Sequence, residues 1–132
     1  VKNLSKTRGE PHREDIATII AADGPKILIT NLNGEFKLKL KNEGNYLWSS
    51  ENGFVVELFG EGIIVGDFVW SDREIYPGEE LEVSIPIKTK EKGLFNYSIK
   101  VIDGASVIAQ RNLVVKSETY LSLLIDGLQA VF

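Results

Sequence analysis

The sequence contains no cysteine and no run of about 18 consecutive apolar residues. The first absence excludes disulfide bonds and thiolate metal sites, although it does not fix the cellular compartment. The second means that no membrane-spanning helix is expected. The chain begins at Val1 rather than at a methionine and stops abruptly at Phe132. From these two ends we expect a piece of a longer or processed protein.

Basic residues are too few and too dispersed for a nucleic-acid-binding surface. Lys and Arg total 15 against 19 Asp and Glu, which gives a net charge of −4. Phosphate binding needs concentrated positive charge, so nucleic acid is not expected as a partner. Most lysines alternate with apolar positions, a pattern typical of a solvated sheet face. The length of 132 residues and the 43% hydrophobic content fit one domain with a buried core.

Catalytic motifs are also missing from the sequence. The single histidine, His12, lies in a polar stretch, and there is no nucleophile elbow, glycine-rich phosphate loop or metal-binding histidine pair. Asp67, Asp72 and Glu74 carry oxygens of the kind that bind Ca²⁺. Acids in a loop are usually solvated, however, and no EF-hand spacing occurs here. We therefore expect no enzyme, no cofactor and no metal site.

The clearest structural signal is the stretch EFKLKLKNEGNYLW at residues 35–48. Phe36, Leu38 and Leu40 alternate with charged residues, which predicts a strand with one buried face and one lysine-rich face. The NEGN sequence that follows has turn chemistry. Tyr46 and Trp48 come next and are suited to closing one end of a β-sandwich core.

Turn signals then recur at near-regular intervals, which predicts an all-β sandwich or barrel. The predicted strands are residues 26–30, 35–41, 54–59, 67–70, 80–88, 95–102 and 106–116. Residues 16–21 fit either the start of a helix or a short strand, and the strand fits slightly better. Pro86 indicates an edge position or a bend at that point of its strand. The Asp103-Gly104 pair predicts a tight hairpin.

The two ends differ from this regular middle, so the predicted domain spans residues 16–116. Residues 1–15 are polar and are expected to form a flexible arm or linker. Residues 117–132 are apolar and fit either a helix capped by Ser117 or a hairpin around Asp126-Gly127. In either form they are expected to pack on the sandwich, on a second copy or on a neighbouring domain. The candidate interface residues are Tyr120, Leu121, Leu124, Leu128 and Phe132.

Aromatic residues concentrate between positions 46 and 76: Tyr46, Trp48, Phe54, Phe59, Phe68, Trp70 and Tyr76. We expect most of them to fill the core between two sheets. An exposed Trp or Tyr on such a surface can instead stack on a sugar ring. Trp70 is the strongest candidate because polar residues follow it at once, and Tyr76 and Asp72 complete a predicted ligand-binding set.

The order of these motifs resembles a known family. A strand ending in Lys41-Asn42-Glu43-Gly44 precedes Trp48, a Pro77-Gly78-Glu79 turn and a late strand around Tyr97. This pattern is similar to the immunoglobulin-like sandwiches of bacterial and archaeal surface and glycan-related proteins, and to the four-tryptophan domain of an autophagy receptor. The resemblance covers residues 36–116, although only two tryptophans are present. It implies an antiparallel immunoglobulin-like β-sandwich that serves as a non-catalytic accessory module.

Two functions are compatible with these observations. The first is a structural or protein-interaction module of a cell-surface or envelope-associated protein, acting through sheet edges and the apolar C-terminal segment. Its partner would be a second copy or a neighbouring domain, and an extracellular location is favoured over the cytoplasm. The alternative is a carbohydrate-binding module of a glycan-active enzyme that uses the exposed aromatics.

Overall fold

The computed structural model describes residues 13–69 and 74–119, and these residues form strands, turns and loops without a helix. Eight strands follow in chain order: β1 (Ala17–Asp23), β2 (Ile27–Ile29), β3 (Gly34–Asn42), β4 (Phe54–Phe59), β5 (Ile63–Val65), β6 (Glu80–Thr89), β7 (Gly93–Asp103) and β8 (Ser106–Glu118). Residues 16–21 therefore belong to a strand region rather than to a helix.

The strands form two four-stranded sheets. The first sheet has the order β1-β3-β6-β5 and the second has the order β2-β8-β7-β4. The buried faces of the two sheets supply one shared hydrophobic core. The predicted all-β sandwich is confirmed. One pair departs from the predicted antiparallel arrangement, because β2 runs parallel to β8.

Alternating side chains explain why these segments are strands. On β3, Phe36, Leu38 and Leu40 are buried while Glu35 and Lys37 are exposed. The same period of two continues on β4, β6 and β7, and each strand turns its apolar set toward the opposite sheet. A T-shaped contact between the rings of Phe36 and Tyr97, with centroids 5.9 Å apart, joins the two sheets.

Trp48 closes one end of the core, as predicted. It is fully buried, stacks on the ring of Phe54 at a centroid distance of 4.5 Å and exchanges two backbone hydrogen bonds with Ile75. Tyr46, predicted to share this role, is instead 41% exposed. The guanidinium of Arg13 lies 3.9 Å from the centre of its ring. This is a cation–π contact at the surface, and the Arg13 side chain remains 42% exposed to water.

Asn42 fixes the turn beside this end of the core. Its buried side chain donates hydrogen bonds to the carbonyls of Tyr46 and Ile75 at 2.9 and 3.0 Å. The amide oxygen accepts a hydrogen bond from the backbone N–H of Gly44 at 3.1 Å. Because a buried amide is stable only when its groups are paired, these bonds hold the end of β3 against the loop that leads to Trp48.

One predicted strand is wrong. Residues 67–69 form no strand, whereas β5 occupies residues that carried no strand prediction. The sequence of β5 is Ile-Ile-Val, a run too short and too uniformly apolar to show an alternation. Val69 is 80% exposed, whereas Phe68 is half-buried and packs against the core.

Pro86 lies on β6, which has β3 on one side and β5 on the other, so the predicted edge position is wrong for this strand as a whole. The backbone N–H of Gly66 donates a hydrogen bond to the carbonyl of Pro86 at 2.8 Å. In an antiparallel ladder the N and O of one residue face the same neighbour. The proline nitrogen therefore faces the side on which β5 has ended, and no hydrogen bond to β3 is lost.

The hairpin predicted at Asp103-Gly104 is confirmed, since Asp103 pairs with Ser106 across a two-residue loop. Gly104 has a φ of +64°, which glycine adopts without steric cost. β8 continues to Glu118, with Ser117 buried and hydrogen bonded to Thr89. Ser117 is therefore not the cap of a helix. The choice between helix and hairpin for the residues that follow lies outside the described residues.

Most of the predicted arm also lies outside the described residues, but its last three positions make specific contacts. The side chain of Arg13 bonds to Asp15 at 3.0 Å and to Asp103 at 3.3 Å. The backbone N–H of Glu14 donates to the side-chain oxygen of Asn45 at 2.7 Å. These contacts attach residues 13–15 to the end of the sandwich closed by Trp48.

Candidate functional site

The predicted ligand-binding set is only partly within the described residues. Trp70 and Asp72 lie outside them. Tyr76 is 51% exposed, and its hydroxyl donates a hydrogen bond to Glu74 at 3.2 Å, which raises its pKa. The turn that follows is formed as expected, with a backbone hydrogen bond from Glu79 to Tyr76 and a φ of +90° at Gly78. Tyr76 thus stands at the surface beside two acidic side chains.

The expectation that most of the clustered aromatics fill the core is not met within the described residues. Trp48 and Phe54 are buried, and Phe68 is half-buried. The exposed ones are Tyr46, Phe59 and Tyr76. Phe59 is the most open of them at 75% exposure. The sequence interpretation gave no surface role to Phe59, although the alternation on β4 contained the signal: with Phe54, Val56 and Leu58 inward, position 59 points outward.

Phe59 borders a trough on the outer face of the second sheet. The trough has a volume of about 640 Å³, and we call it the Phe59 trough. Phe59 and Glu61 form one side, Asn96 and Ser98 form the floor, and Asn112 and Val114 form the other side. Strand register produces this grouping, because Phe59 pairs with Ser98 and Ser98 pairs with Asn112. Side chains opposite each other on neighbouring strands share one face.

The outer face of the first sheet has a different composition. The amine of Lys39 lies 3.3 Å from the carboxylate of Glu80 and 3.8 Å from that of Glu82. Lys37 and Glu35 form a further exposed pair at 3.7 Å. Exposed pairs of this kind contribute little stability. They confirm the predicted solvated, lysine-rich face.

The edge of β8 is the second surface available for binding. β2 pairs with β8 only at Lys116, Ser117 and Glu118. Among the described residues, no strand is hydrogen bonded to positions 106–115 of β8 on the side that faces away from β7, although β1 approaches β8. Val107 and Val114 on this stretch are each 51% exposed. An edge of this kind offers unpaired backbone donors and acceptors.

A small charged cluster lies near Trp48. Asp103 is buried, and one of its oxygens accepts the hydrogen bond from Arg13 while the other has no partner among the described residues. Burial raises the pKa of Asp103, the carboxylate of Asp15 raises it further, and Arg13 opposes both effects. The arrangement ties the start of the described chain to the β7–β8 hairpin.

No group of three or more His, Asp or Glu side chains able to hold a metal ion occurs within residues 13–69 and 74–119. No helix of the described chain is long and apolar enough to cross a membrane. The candidate interface residues Tyr120, Leu121, Leu124, Leu128 and Phe132 all lie outside the described residues. Their assignment therefore stays a sequence-based prediction.

Comparison with protein-family models and with curated proteins gives no match. Among solved structures, the chain is similar to a mutant of the SrpA adhesin from Streptococcus sanguinis, with a TM-score of 0.52, 15% identity and 83% of this chain covered. It is also similar to the native conformation of alpha-2-macroglobulin from E. coli, with a TM-score of 0.50, 12% identity and 78% of this chain covered. A CARDB domain from Pyrococcus furiosus gives a TM-score of 0.49 at 12% identity, with 89% of this chain and all of that domain covered.

At these identities, the adhesin and macroglobulin likenesses show the fold alone. The chain spans 61% of the adhesin structure and 7% of the macroglobulin structure. The similarity to the four-tryptophan domain of an autophagy receptor is not shown by any of these comparisons. It stays a prediction.

Proposed function

We propose that this chain is a non-catalytic structural and protein-interaction module of a larger protein, and that it makes its contact by strand addition at the edge of β8. The observation that carries the proposal is the open edge at residues 106–115. An extended segment from a partner can pair with such an edge through backbone hydrogen bonds, and side chains then supply specificity.

The direction of the backbone groups on β8 follows from its contact with β2. The N–H of Lys116 donates to the carbonyl of Lys26 at 3.0 Å, so the backbone of Lys116 faces the β2 side. Backbone groups alternate along a strand. The backbone N–H and C=O of Gln110, Asn112 and Val114 therefore face the open edge, where a partner strand would bind them.

Two features restrict which partners can pair with this edge. Arg111 lies opposite Ile99, which is fully buried, and yet Arg111 is exposed. A bulge interrupts the register between Val101 and Ile102. Charged side chains on inward positions and bulges both discourage indiscriminate edge pairing. These two features restrict pairing at this edge to strands whose shape fits the bulge and whose side chains leave room for Arg111.

The apolar residues 120–132 continue directly from β8, and we propose that they extend the same interface. A stable contact needs more apolar area than one strand edge provides. Tyr120, Leu121, Leu124, Leu128 and Phe132 would supply it.

The first partner to test is a second copy of the chain. Gln110→Pro removes an edge-facing N–H without touching the ladder to β7, and Gln110→Ala is the matched control that keeps it. Light scattering over a concentration series should find a defined oligomer for the wild type and Gln110→Ala and a shift to monomer for Gln110→Pro. Far-UV circular dichroism checks that each variant folds.

A wild type that is monomeric at every concentration would contradict self-association at this edge. An oligomer unaffected by Gln110→Pro but dissociated by truncation after residue 119 would place the contact in the C-terminal segment rather than on β8. The two variants therefore separate the two parts of the proposed interface.

We further propose a cell-surface or envelope-associated parent protein, in keeping with the adhesin whose fold this chain shares. Labelling of intact cells with an antibody against this chain should detect it on their exterior. Detection only after lysis would contradict the proposed location.

A further inference from the structure

The Phe59 trough combines an open aromatic ring with a polar floor. Its volume of about 640 Å³ falls within the range of roughly 300–1,000 Å³ that is usual for ligand sites. It lies on the outer face of the second sheet and is lined by side chains, including those of Asn112 and Val114. The proposed protein contact uses backbone groups at the edge of β8, so the trough is a neighbouring but different binding surface.

Phe59 is held in place although its ring is open. It is the last residue of β4 and pairs with Ser98 on β7. Gly60 follows, and a Cβ added there would lie 2.5 Å from the Cβ of Tyr97. The turn after β4 is therefore seated directly on β7, because only glycine permits this approach. The backbone of Phe59 is thus fixed by its pairing with β7, and its 75% exposed ring offers an apolar platform.

The floor beside this ring presents hydrogen-bonding groups. Asn96 and Ser98 lie two positions apart on β7 and thus point to the same face. Within the described part of the chain, neither side chain has a hydrogen-bond partner in the protein. Asn112, opposite Ser98, accepts a hydrogen bond from Gln110 at 3.3 Å through its oxygen, and its amide N–H groups are available. Two amides and one hydroxyl therefore face the trough.

The charge of the lining selects the ligand class. Glu61 is the single carboxylate that lines the trough within the described residues, and neither lysine nor arginine does so. Anionic ligands would have no counter-charge there. A wholly apolar ligand would leave the amides and the hydroxyl of the floor without partners, which is unfavourable. A neutral molecule with an apolar ring face and a rim of hydroxyl groups satisfies both parts of the site.

We propose that the Phe59 trough binds a neutral oligosaccharide. Phe59 stacks against the C–H face of one sugar ring, and Asn96, Ser98 and Asn112 exchange hydrogen bonds with its hydroxyl groups. This assigns sugar binding to a different surface from the one around Tyr76 that the sequence indicates.

A second hollow indicates that the ligand is a chain of sugars. Phe59 and Ser98 also border a hollow of about 430 Å³ whose lining includes Val65, Phe68, Glu57 and Lys100. Its one acidic and one basic side chain are of opposite sign, so this hollow carries no net charge that would favour an anionic ligand. A sugar stacked on Phe59 therefore has space on both sides of the ring. An oligosaccharide that crosses the Phe59 ring would contact both hollows, whereas a monosaccharide would contact one.

The test is a titration of the ¹⁵N-labelled full chain with neutral gluco-, manno-, xylo- and chito-oligosaccharides, with a sulfated oligosaccharide as the anionic probe. Binding of a neutral oligosaccharide should shift the backbone amide resonances of residues 59–61 and 96–98. Phe59→Ala should weaken binding about tenfold, which corresponds to loss of one stacking contact. Phe59→Tyr should retain it, because the ring face remains.

Val55→Ala is the matched control. Val55 lies on the same strand and the same outer face, is 42% exposed and does not line the trough. It should bind as the wild type does. Asn96→Ala should weaken binding by a smaller factor than Phe59→Ala, since one hydrogen bond is lost.

The proposal is overturned if the wild type binds none of the neutral probes at millimolar concentration, or if it binds the sulfated probe alone. It is also overturned if Phe59→Ala binds as the wild type does. A loss of self-association in Phe59→Ala, measured by light scattering without sugar, would make the trough a protein contact and would likewise overturn it. None of these outcomes depends on Gln110, so failure here is distinguishable from failure of the β8-edge proposal.

Discussion

The outer faces of the two sheets differ although their inner faces serve the same core. On the outer face of the first sheet, the amine of Lys39 pairs with the carboxylates of Glu80 and Glu82, and all three side chains are exposed to solvent. On the outer face of the second sheet, the Phe59 trough presents the ring of Phe59, the amides of Asn96 and Asn112 and the hydroxyl of Ser98. Both faces come from strands with the same alternation of buried and exposed residues.

This difference shows that alternation determines the fold and leaves the outward residues free to specialise. Paired charges on the first sheet stay hydrated and offer no apolar area to a ligand. On the second sheet, Phe59 and Val114 both line the trough and are 75% and 51% exposed. Exposed apolar side chains grouped in this way mark a binding surface better than a single exposed side chain does. The second sheet is therefore the one that we associate with recognition.

The largest expected effect is a difference in stability between substitutions on the inner and the outer face of the second sheet. Phe54 and Phe59 stand at opposite ends of β4, and Phe54 is buried against Trp48 whereas Phe59 is open. Phe54→Ala should lower the free energy of unfolding by about 3–5 kcal/mol, because it leaves a cavity in the core. Phe59→Ala should change it by less than about 0.5 kcal/mol. Urea denaturation of both variants measures the two values.

A loss above about 2 kcal/mol in Phe59→Ala would mean that the ring is part of the packed structure. In that case the exposed platform would not exist, and the contrast between the two outer faces would fail.

The next effect concerns the burial of acidic side chains on the two sheets. The first sheet carries Glu80 and Glu82 on its outer face, whereas the second sheet buries Asp103. Burial and the neighbouring Asp15 raise the pKa of Asp103. The folded protein therefore holds this proton more tightly than the unfolded chain does. Protonated Asp103 therefore adds to the free energy of unfolding at low pH, and this contribution is lost as the pH rises through the folded-state pKa of Asp103.

We expect the wild type to lose stability relative to Asp103→Asn as the pH rises, measured as the difference between their free energies of unfolding. Denaturant titrations at a series of pH values give this difference. A wild type and an Asp103→Asn variant with parallel pH profiles would show that Asp103 titrates as an ordinary surface acid.

The smallest effect concerns the ion pairs of the first sheet. Lys39→Ala should lower the free energy of unfolding by less than about 1 kcal/mol, because exposed ion pairs are weak. The loss should shrink further in about 1 M salt, where screening is strong. A double-mutant cycle with Glu80→Ala isolates the coupling of this pair. A coupling above about 1 kcal/mol that persists in salt would mean that this face is more ordered than its exposure indicates.

Local patterns predict the central strands well. The alternation of Phe36, Leu38 and Leu40 places β3, and the same period places β6 and β7. The turn at Asp103-Gly104 and the burial of Trp48 also follow from residue chemistry. Each of these signals lies within a few neighbouring residues.

Features that depend on distant parts of the chain could not be predicted in this way. The parallel pairing of β2 with β8 joins residues almost ninety positions apart, and no local pattern encodes it. β5 has three apolar residues and no alternation, so the sequence pattern does not predict it, and the strand predicted over residues 67–70 is not formed by residues 67–69. The exposure of Phe59 could have been read from its position on β4. The trough could not be predicted from β4, because its polar residues lie on β7 and β8, which pair with each other and, through β7, with β4.

The parallel pair of β2 and β8 has a mechanical consequence. The carbonyl of Lys26 accepts a hydrogen bond from Lys116, and the carbonyl of Glu118 accepts one from Thr30. If β2 is pulled toward residue 26 and β8 toward residue 119, the two strands slide along each other in opposite directions. All of their hydrogen bonds are then loaded in shear at once and cannot open one after another. A module built in this way resists tension between residue 26 and residue 119 at the point where β2 and β8 meet.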